Sequence, residues 1–347
     1  MPHLTPALRY LPLCILTLSA CGTEALIPNE AAPPPADSSP PSLCEEPLTG
    51  LVQFPLDEGA HKEDLEWWYY TGHLQDSSGN WYGFEQVFFL MKYMGMDAVM
   101  SHHAITDATA QVFEYDVGYG ALTDRLNEGS FSFRQNNHHI AGTGGKDTLE
   151  GSAGDYSLSL HLEDSRRPVL QHGNGYQDYN FGGYTYYYSR PRMQAQGTLT
   201  VNGEVRDVQG TVWFDHQWGA LNNATKQGWD WFSLQLEDGR DVMVFSVRGE
   251  RGANMLSGSI TDKNCRTEEL SASDISIEQV DTWTSPRSGC TYPMGWKLTV
   301  LNETFEVKPV MENQELYHHT KTYWEGAATV SGSATGRAYV EMTEYCN

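Results

Sequence analysis

Basic residues are scarce in this chain: 22 Lys and Arg stand against 45 Asp and Glu in 347 residues, a formal charge of −23. So large an acidic excess opposes a phosphate backbone or a bare anionic lipid surface, and it excludes nucleic acid as a partner. Familiar catalytic signatures are missing as well. There is no His-Glu-x-x-His, no Gly-x-Ser-x-Gly elbow and no phosphate loop, so zinc peptidase, serine hydrolase and nucleotide enzyme each lack their minimal chemistry. The six cysteines include no Cys-x-x-Cys spacing. The adjacent pairs His102-His103, His138-His139 and His318-His319 would point to opposite faces of a strand, so each is a poor chelate. Neither a metal nor another cofactor is expected. Long helical periods of apolar residues and fixed-period repeats are also missing, which removes solenoids and propellers.

What is present begins with a targeting segment over residues 1–20. Arg9 and the amino terminus supply positive charge ahead of the apolar run 11–18, which is short for a bilayer span and closes on Ser19 and Ala20. Leu18-Ser19-Ala20-Cys21 resembles the lipobox of bacterial lipoproteins, in which the cysteine thiol accepts a diacylglyceryl group before cleavage. Cys21 is therefore the expected lipidation site and membrane anchor. Gly22 after it, where Asp would retain the protein elsewhere, points to the outer membrane facing the periplasm. More than one acyl chain on one residue gives a stable hold. Residues 21–47 follow as a tether: Pro28, Pro33, Pro34, Pro35, Pro40, Pro41 and Pro47 lie among Ala, Ser and Glu, a composition unable to bury enough apolar surface to order itself.

With Cys14 in the signal and Cys21 acylated, Cys44, Cys265, Cys290 and Cys346 remain, and an oxidising compartment permits their three pairings. The expected one joins Cys265 to Cys290, closing a local excursion, and Cys44 to Cys346, tying the start of the folded body to its end. That body reads as strands throughout. Runs at 66–71, 83–90, 157–162, 184–188, 197–201 and 229–237 are aromatic or β-branched. Ser77-Ser78-Gly79-Asn80, Val201-Asn202-Gly203-Glu204 and Glu237-Asp238-Gly239-Arg240 each separate two such runs, and Asn-Gly and Asp-Gly supply the positive φ of hairpin turns. The fold class is all-β, and the length suits two antiparallel barrels or sandwiches over 48–221 and 222–347, with the crossing inside 220–227.

Particular stretches then carry a resemblance. Phe54-Pro55-Leu56-Asp57-Glu58-Gly59-Ala60-His61 followed by Glu66-Trp67-Trp68-Tyr69-Tyr70-Thr71-Gly72-His73-Leu74 strongly resembles the opening of the AttH and carotenoid 1,2-hydratase superfamily. Tyr187-Tyr188-Ser189-Arg190, Trp213-Phe214-Asp215-His216-Gln217-Trp218-Gly219, the run 228–236, Tyr323-Trp324-Glu325-Gly326 and the run 336–344 agree, in the expected order. The resemblance spans about residue 51 to the end. It implies two tandem lipocalin-like β-barrels and, for some members, activity on hydrophobic, isoprenoid-like substrates. The family's hydratases use a His-x-Trp pair, which carries over to His216 and Trp218, with Asp215 in support. They also carry Tyr-x-Asp on a strand some two dozen residues later, where this chain reads Val242-Met243-Val244-Phe245-Ser246-Val247-Arg248 and has no carboxylate. That departure favours the AttH-like branch over carotenoid hydration.

Adding water to an alkene needs a strong acid and a site that tolerates a carbocation. A buried neutral carboxylic acid and aromatic faces can supply them, and 10 Trp, 19 Tyr and 12 Phe provide the rings. Glu66, with Trp68 and Tyr70 on its strand face, joins His216 and Trp218 as the catalytic candidates. Glu85, His102, Tyr187 and Trp231 complete the candidate ligand contacts. Two classes follow. One is an envelope lipoprotein that hydrates or isomerises a hydrophobic small molecule without a cofactor. The other is a non-catalytic carrier of such a molecule or an accessory of an envelope transport complex. Convergence of Glu66, Glu85, His102 and His216 on one cavity would favour chemistry.

Overall fold

The computed structural model describes residue 44 and residues 48–346, except 94–95, 123–126, 165, 180–181, 222–227, 250–253 and 319–320. The expected signal segment, the expected lipidation site Cys21 and nearly all of the expected tether lie outside the described residues, as does most of the expected 220–227 crossing. Among the described residues, a 3-10 turn at Leu56–Glu58 is followed only by strands. The first sheet holds β1 (Leu65–Asp76), β2 (Trp81–Tyr93), β3 (Met96–Asp107), β4 (Val112–Ala121), β5 (Phe131–Gln135), β6 (His138–Thr143), β7 (Lys146–Ala153), β8 (Tyr156–Glu163), the short β9 (Val169–Leu170) and β10 (Tyr176–Asp178), β11 (Tyr184–Val201) and β12 (Glu204–Ala220). The second holds β13 (Trp229–Leu236), β14 (Asp241–Val247), β15 (Met255–Thr261), β16 (Thr267–Leu270), β17 (Ile275–Thr284), β18 (Thr291–Val300), β19 (Glu303–Pro309), the short β20 (Glu315–Leu316), β21 (Tyr323–Gly332) and β22 (Gly336–Met342).

All pairings are antiparallel, and the two sheets repeat one plan. The first runs β4-β3-β2-β1-β12-β11-β8-β7-β6-β5 and the second β16-β15-β14-β13-β22-β21-β19-β18-β17. In each, four strands meander outward and the last strand returns to pair with the first, curling the sheet into a barrel-like layer around its own core. The all-β class and the two tandem barrels expected from the sequence are what the chain forms, the first nearly closed and the second a half-barrel. The hairpin turns obey their chemistry. Asn202 and Gly203 both take positive φ, 52° and 83°, as a two-residue turn between twisted strands requires.

Burial patterns reveal how the layers meet. β8 alternates buried and exposed without a break, one face on the core and one in water. Along β1 and β14, by contrast, almost every residue is buried. These strands face a sheet core on one side and the other sheet on the other. Three large apolar cores result: one inside each sheet and a third, built on Tyr69, Tyr187, Trp213, Trp231, Phe245 and Tyr339, in the seam between them; a small fourth joins Ala104, Leu316 and Tyr323.

The disulfide pairing differs from expectation. Cys44 is bonded to Cys265 and Cys290 to Cys346. Cys265 lies in the β15–β16 turn, whereas Cys290 lies in the β17–β18 turn. The ten residues of β17 between them span about 33 Å and carry Cys290 to the other end of the sheet. Proximity in sequence was a poor guide because a strand separates its two ends.

Polar clamps lock the seam. Asp241, buried at the start of β14, accepts from Arg192 Nε and Nη2 at 2.9 and 2.6 Å and from Arg166 Nη1 at 3.1 Å, across the two sheets. Burial pushes its carboxyl up to about 6 despite the two guanidinium groups. Replacing Asp241 by Ala leaves both arginines facing a hole, so we expect a loss of about 3 kcal/mol in urea-unfolding stability. A loss below about 0.5 kcal/mol would show that the clamp is only decorative.

Candidate functional site

Alternation along β1 and β12 sends consecutive motif residues to different cores. Glu66, Trp68 and Tyr70 point into the first sheet's interior with His216 and Trp218, while Trp67, Tyr69 and Thr71 enter the seam with Trp213, Asp215 and Gln217. The motif Tyr187-Tyr188-Ser189-Arg190 splits the same way: Tyr187 and Ser189 reach Asp215, Tyr188 packs on His216, and Arg190 pairs with buried Glu58. The four polar candidates therefore do not share one cavity. Glu66 and His216 lie inside the first sheet, and Glu85 and His102 lie on its seam face.

Inside the sheet, Glu66 Oε1 is 2.7 Å from His216 Nε2 and 2.7 Å from His61 Nδ1. The His61 backbone N–H donates to the other Glu66 oxygen at 2.8 Å. Trp218 stacks on the His61 ring at 3.9 Å, Trp68 stacks on His216 at 4.4 Å, and Tyr70 donates to Asp147 at 2.9 Å. Burial pushes Glu66 up, but hydrogen bonds from His216 and His61 outweigh it and hold the carboxyl below its usual range. His216 is pushed down by burial against the pull of Glu66. The pair is a carboxylate and a neutral imidazole, so Glu66 has no proton to give an alkene.

The seam has the opposite character. A cavity with about 60 Å³ of free volume is walled by Leu65, Trp67, Tyr69, Phe89, Tyr187, Trp229, Trp231 and Phe245, with Asp215, Gln217 and Glu341 as polar groups. Asp215 accepts from Ser189 Oγ at 2.5 Å, Tyr187 OH at 2.6 Å and Trp213 Nε1 at 2.7 Å, and Trp231 Nε1 donates to Tyr187 OH at 3.2 Å. Burial pushes Asp215 up to about 7 even so. His102, on β3, lies on the same seam face as Glu85 of β2, with its Nδ1 2.6 Å from Tyr323 OH; burial pushes it down to about 3, which keeps it neutral.

Glu325 and Glu341, the acids that the sequence reading did not single out, come from the last two long strands. They are direct cross-strand neighbours. Tyr69, on the cavity wall, donates a short hydrogen bond to Glu325, and Trp229 Nε1 donates to Glu341 at 2.9 Å. Burial, then the nearby Glu341 and Glu85, push Glu325 well above the carboxylate range; burial, then Glu341, do the same for Glu85. Several buried polar atoms here have no protein partner: both oxygens of Glu85, one of Glu325, and the hydroxyls of Thr71 and Tyr339. Such orphans mark a place where water or a polar ligand atom completes the bonding. The segment Tyr323-Trp324-Glu325-Gly326 was visible as a motif. Applying strand alternation to it would have put Glu325 on the face opposite Trp324, but its pairing with Glu341 needs the register. On β14, the stretch that reads Val242 to Arg248 where the resemblance implies Tyr-x-Asp, the seam face presents Met243, Phe245 and Val247.

The sign of the pH dependence follows. Buried neutral histidines such as His73 and His102 cost stability only as pH falls, because the unfolded chain takes up protons there that the folded chain refuses. Above about pH 7 they are neutral in both states. Glu85 and Glu325 work the other way: the folded chain keeps protons that the unfolded chain has released, so stability falls as pH rises. We expect the urea midpoint to drop between about pH 7 and pH 9 and the drop to flatten in Glu325→Gln. A midpoint that rises over this range would contradict neutral seam carboxyls.

The fold and these motifs have known counterparts. A family model described as AttH-like matches residues 47–345. No curated protein matches the chain. Among solved structures, an AttH from Nitrosomonas europaea superposes with a TM-score of 0.78 at 28% identity, covering 85% of this chain and 97% of that one. Kievitone hydratase from Nectria haematococca gives 0.70 at 19% identity, covering 85% and 95%. CghA, solved with Sch210972, gives 0.53 at 10% identity, covering 81% and 88%. The two latter likenesses are of fold alone, whereas the family match runs over nearly the whole folded body: the chain belongs to the AttH-like family.

Proposed function

We propose that the seam binds the reacting end of a hydrophobic, isoprenoid- or lipid-like molecule and protonates it without a cofactor, leading to hydration or isomerisation. The observation that carries this reading is the pair Glu325 and Glu341, with Glu325 held neutral by burial and hydrogen-bonded to Tyr69 on an aromatic cavity wall. A neutral buried carboxylic acid is the donor that alkene protonation needs. Tyr69 relays the proton: its hydrogen bond to Glu325 turns over, so that protonated Glu325 donates to the Tyr69 oxygen while Tyr69 gives its own proton to the alkene carbon. The faces of Trp67, Trp229 and Trp231 stabilise the resulting cation. Water held beside Glu341 then adds to the cation and returns a proton to the acid pair, or loss of a proton from carbon gives the isomer. The free volume of about 60 Å³ has room for a few waters or a small branched end group, so the rest of a longer molecule must stay at the mouth or displace wall side chains. The fold likeness to a hydratase supports the reading only as far as architecture goes. On this reading Cys21, outside the described residues, anchors the protein at the outer membrane, where apolar substrates reside.

The test is incubation of the full chain with an apolar lipid extract in heavy-oxygen water and, separately, in deuterium oxide. Mass spectrometry would compare wild type with Glu325→Gln and Tyr69→Phe. Heavy oxygen entering a compound reports hydration, and deuterium without oxygen reports isomerisation. Either should slow by about 100-fold or more in Glu325→Gln. A compound that copurifies equally with all three proteins and takes up neither isotope would make the protein a carrier.

A further inference from the structure

The seam chemistry leaves a second constellation unused. His61 Nδ1, Glu66 Oε1 and His216 Nε2, one ligand-type atom from each residue, lie within 4.8 Å of one another. The outer nitrogen of each ring faces an oxygen: His61 Nε2 is 3.5 Å from Asp57 Oδ1, and His216 Nδ1 is 3.4 Å from Tyr188 OH. The second Glu66 oxygen is fixed by the His61 backbone N–H. Stacked Trp218 and Trp68 set the planes of the two rings. Convergent inner atoms and partnered outer atoms are the arrangement that orients imidazole ligands around a metal ion. The other such cluster among the described residues, Cys290, Glu315 and Cys346, has both sulfurs committed to a disulfide.

We propose that His61, Glu66 and His216 form a binding site for a divalent transition metal of the zinc class. Two imidazole nitrogens and one carboxylate oxygen suit a tetrahedral borderline ion, whereas calcium and magnesium prefer oxygen ligands alone. Solvent supplies the fourth position, entering past His61, which retains 20% side-chain exposure against 2% for Glu66 and none for His216. The protons balance without net release. In the metal-free state each inner N–H donates to Glu66. With metal bound, each ring moves its proton to the outer nitrogen, His61 Nε2 donating to Asp57 and His216 Nδ1 to the Tyr188 oxygen. Tetrahedral bonds of about 2.0–2.1 Å put neighbouring ligand atoms roughly 3.3 Å apart, so the Glu66 oxygen retreats by about half an ångström from each nitrogen. The site is independent of the seam reaction.

The experiment is equilibrium dialysis of the full chain in detergent, stripped with chelator, against zinc and then cobalt. Metal analysis and the visible spectrum of bound cobalt are the readouts. The expected result is one ion per chain with a tetrahedral cobalt spectrum, unchanged in His102→Gln and lost in His61→Gln. Asp57→Asn, which takes the negative charge from the outer partner of His61 while keeping its shape, should weaken binding by about 10- to 100-fold. Wild type that binds no metal, or His61→Gln that binds as wild type does, overturns the proposal. Should His61→Gln fail to fold by circular dichroism, unchanged affinity in Asp57→Asn overturns it equally.

Discussion

Everything in this molecule depends on strands that bury both faces. β1, β12, β13 and β14 line a sheet interior on one side and the seam on the other, and a strand has only two faces to offer. Each pair of neighbouring residues must therefore satisfy two cores at once. The chemistry divides along the same line. On the inner face, Glu66 meets two imidazoles and stays ionised; on the seam face, Glu85 and Glu325 meet tyrosines, other carboxyls and apolar walls, and stay neutral. Backbone alternation keeps the two electrostatic regimes apart within a few ångströms.

Much of this was legible in the sequence, because it follows from periodicity and turn stereochemistry. The all-β class came from short aromatic and β-branched runs, and the hairpins from Asn202-Gly203 and Asp238-Gly239. The division of 66–71 and 213–218 between two faces came from the two-residue period of a strand, and the structure keeps it. What a period cannot supply is the identity of the layer each face meets. Glu66 and Glu85 look equivalent as carboxylates on aromatic strands, yet one points into a sheet and the other out of it. The pairing of Glu325 with Glu341 and of Cys44 with Cys265 depends on register and on which sheet edge each turn reaches, both set by long-range packing.

The charge of the chain also reads differently once burial is known. An excess of carboxyls is easily taken for a solubilising surface, but several acids sit where water does not reach and are matched in two ways. Buried Arg190 neutralises Glu58 and Asp164 at 2.5 and 3.3 Å inside the first sheet, and Arg192 with Arg166 neutralises Asp241 at the seam. Three of the scarce basic residues, Arg166, Arg190 and Arg192, are thus committed to internal carboxylates. Where no cation is assigned, as at Glu85 and Glu325, protonation takes its place.

The Cys44–Cys265 bond has a mechanical meaning. It joins residues 221 apart in sequence, just ahead of the first sheet and at the β15–β16 turn of the second. Tension applied to the chain from its amino-terminal side passes through this covalent link into the second sheet before it can pull on β1. The strand that carries Glu66 and Tyr69 is thereby shielded from peeling. Such a load would fall on a turn of the second sheet and leave the geometry of the seam undisturbed.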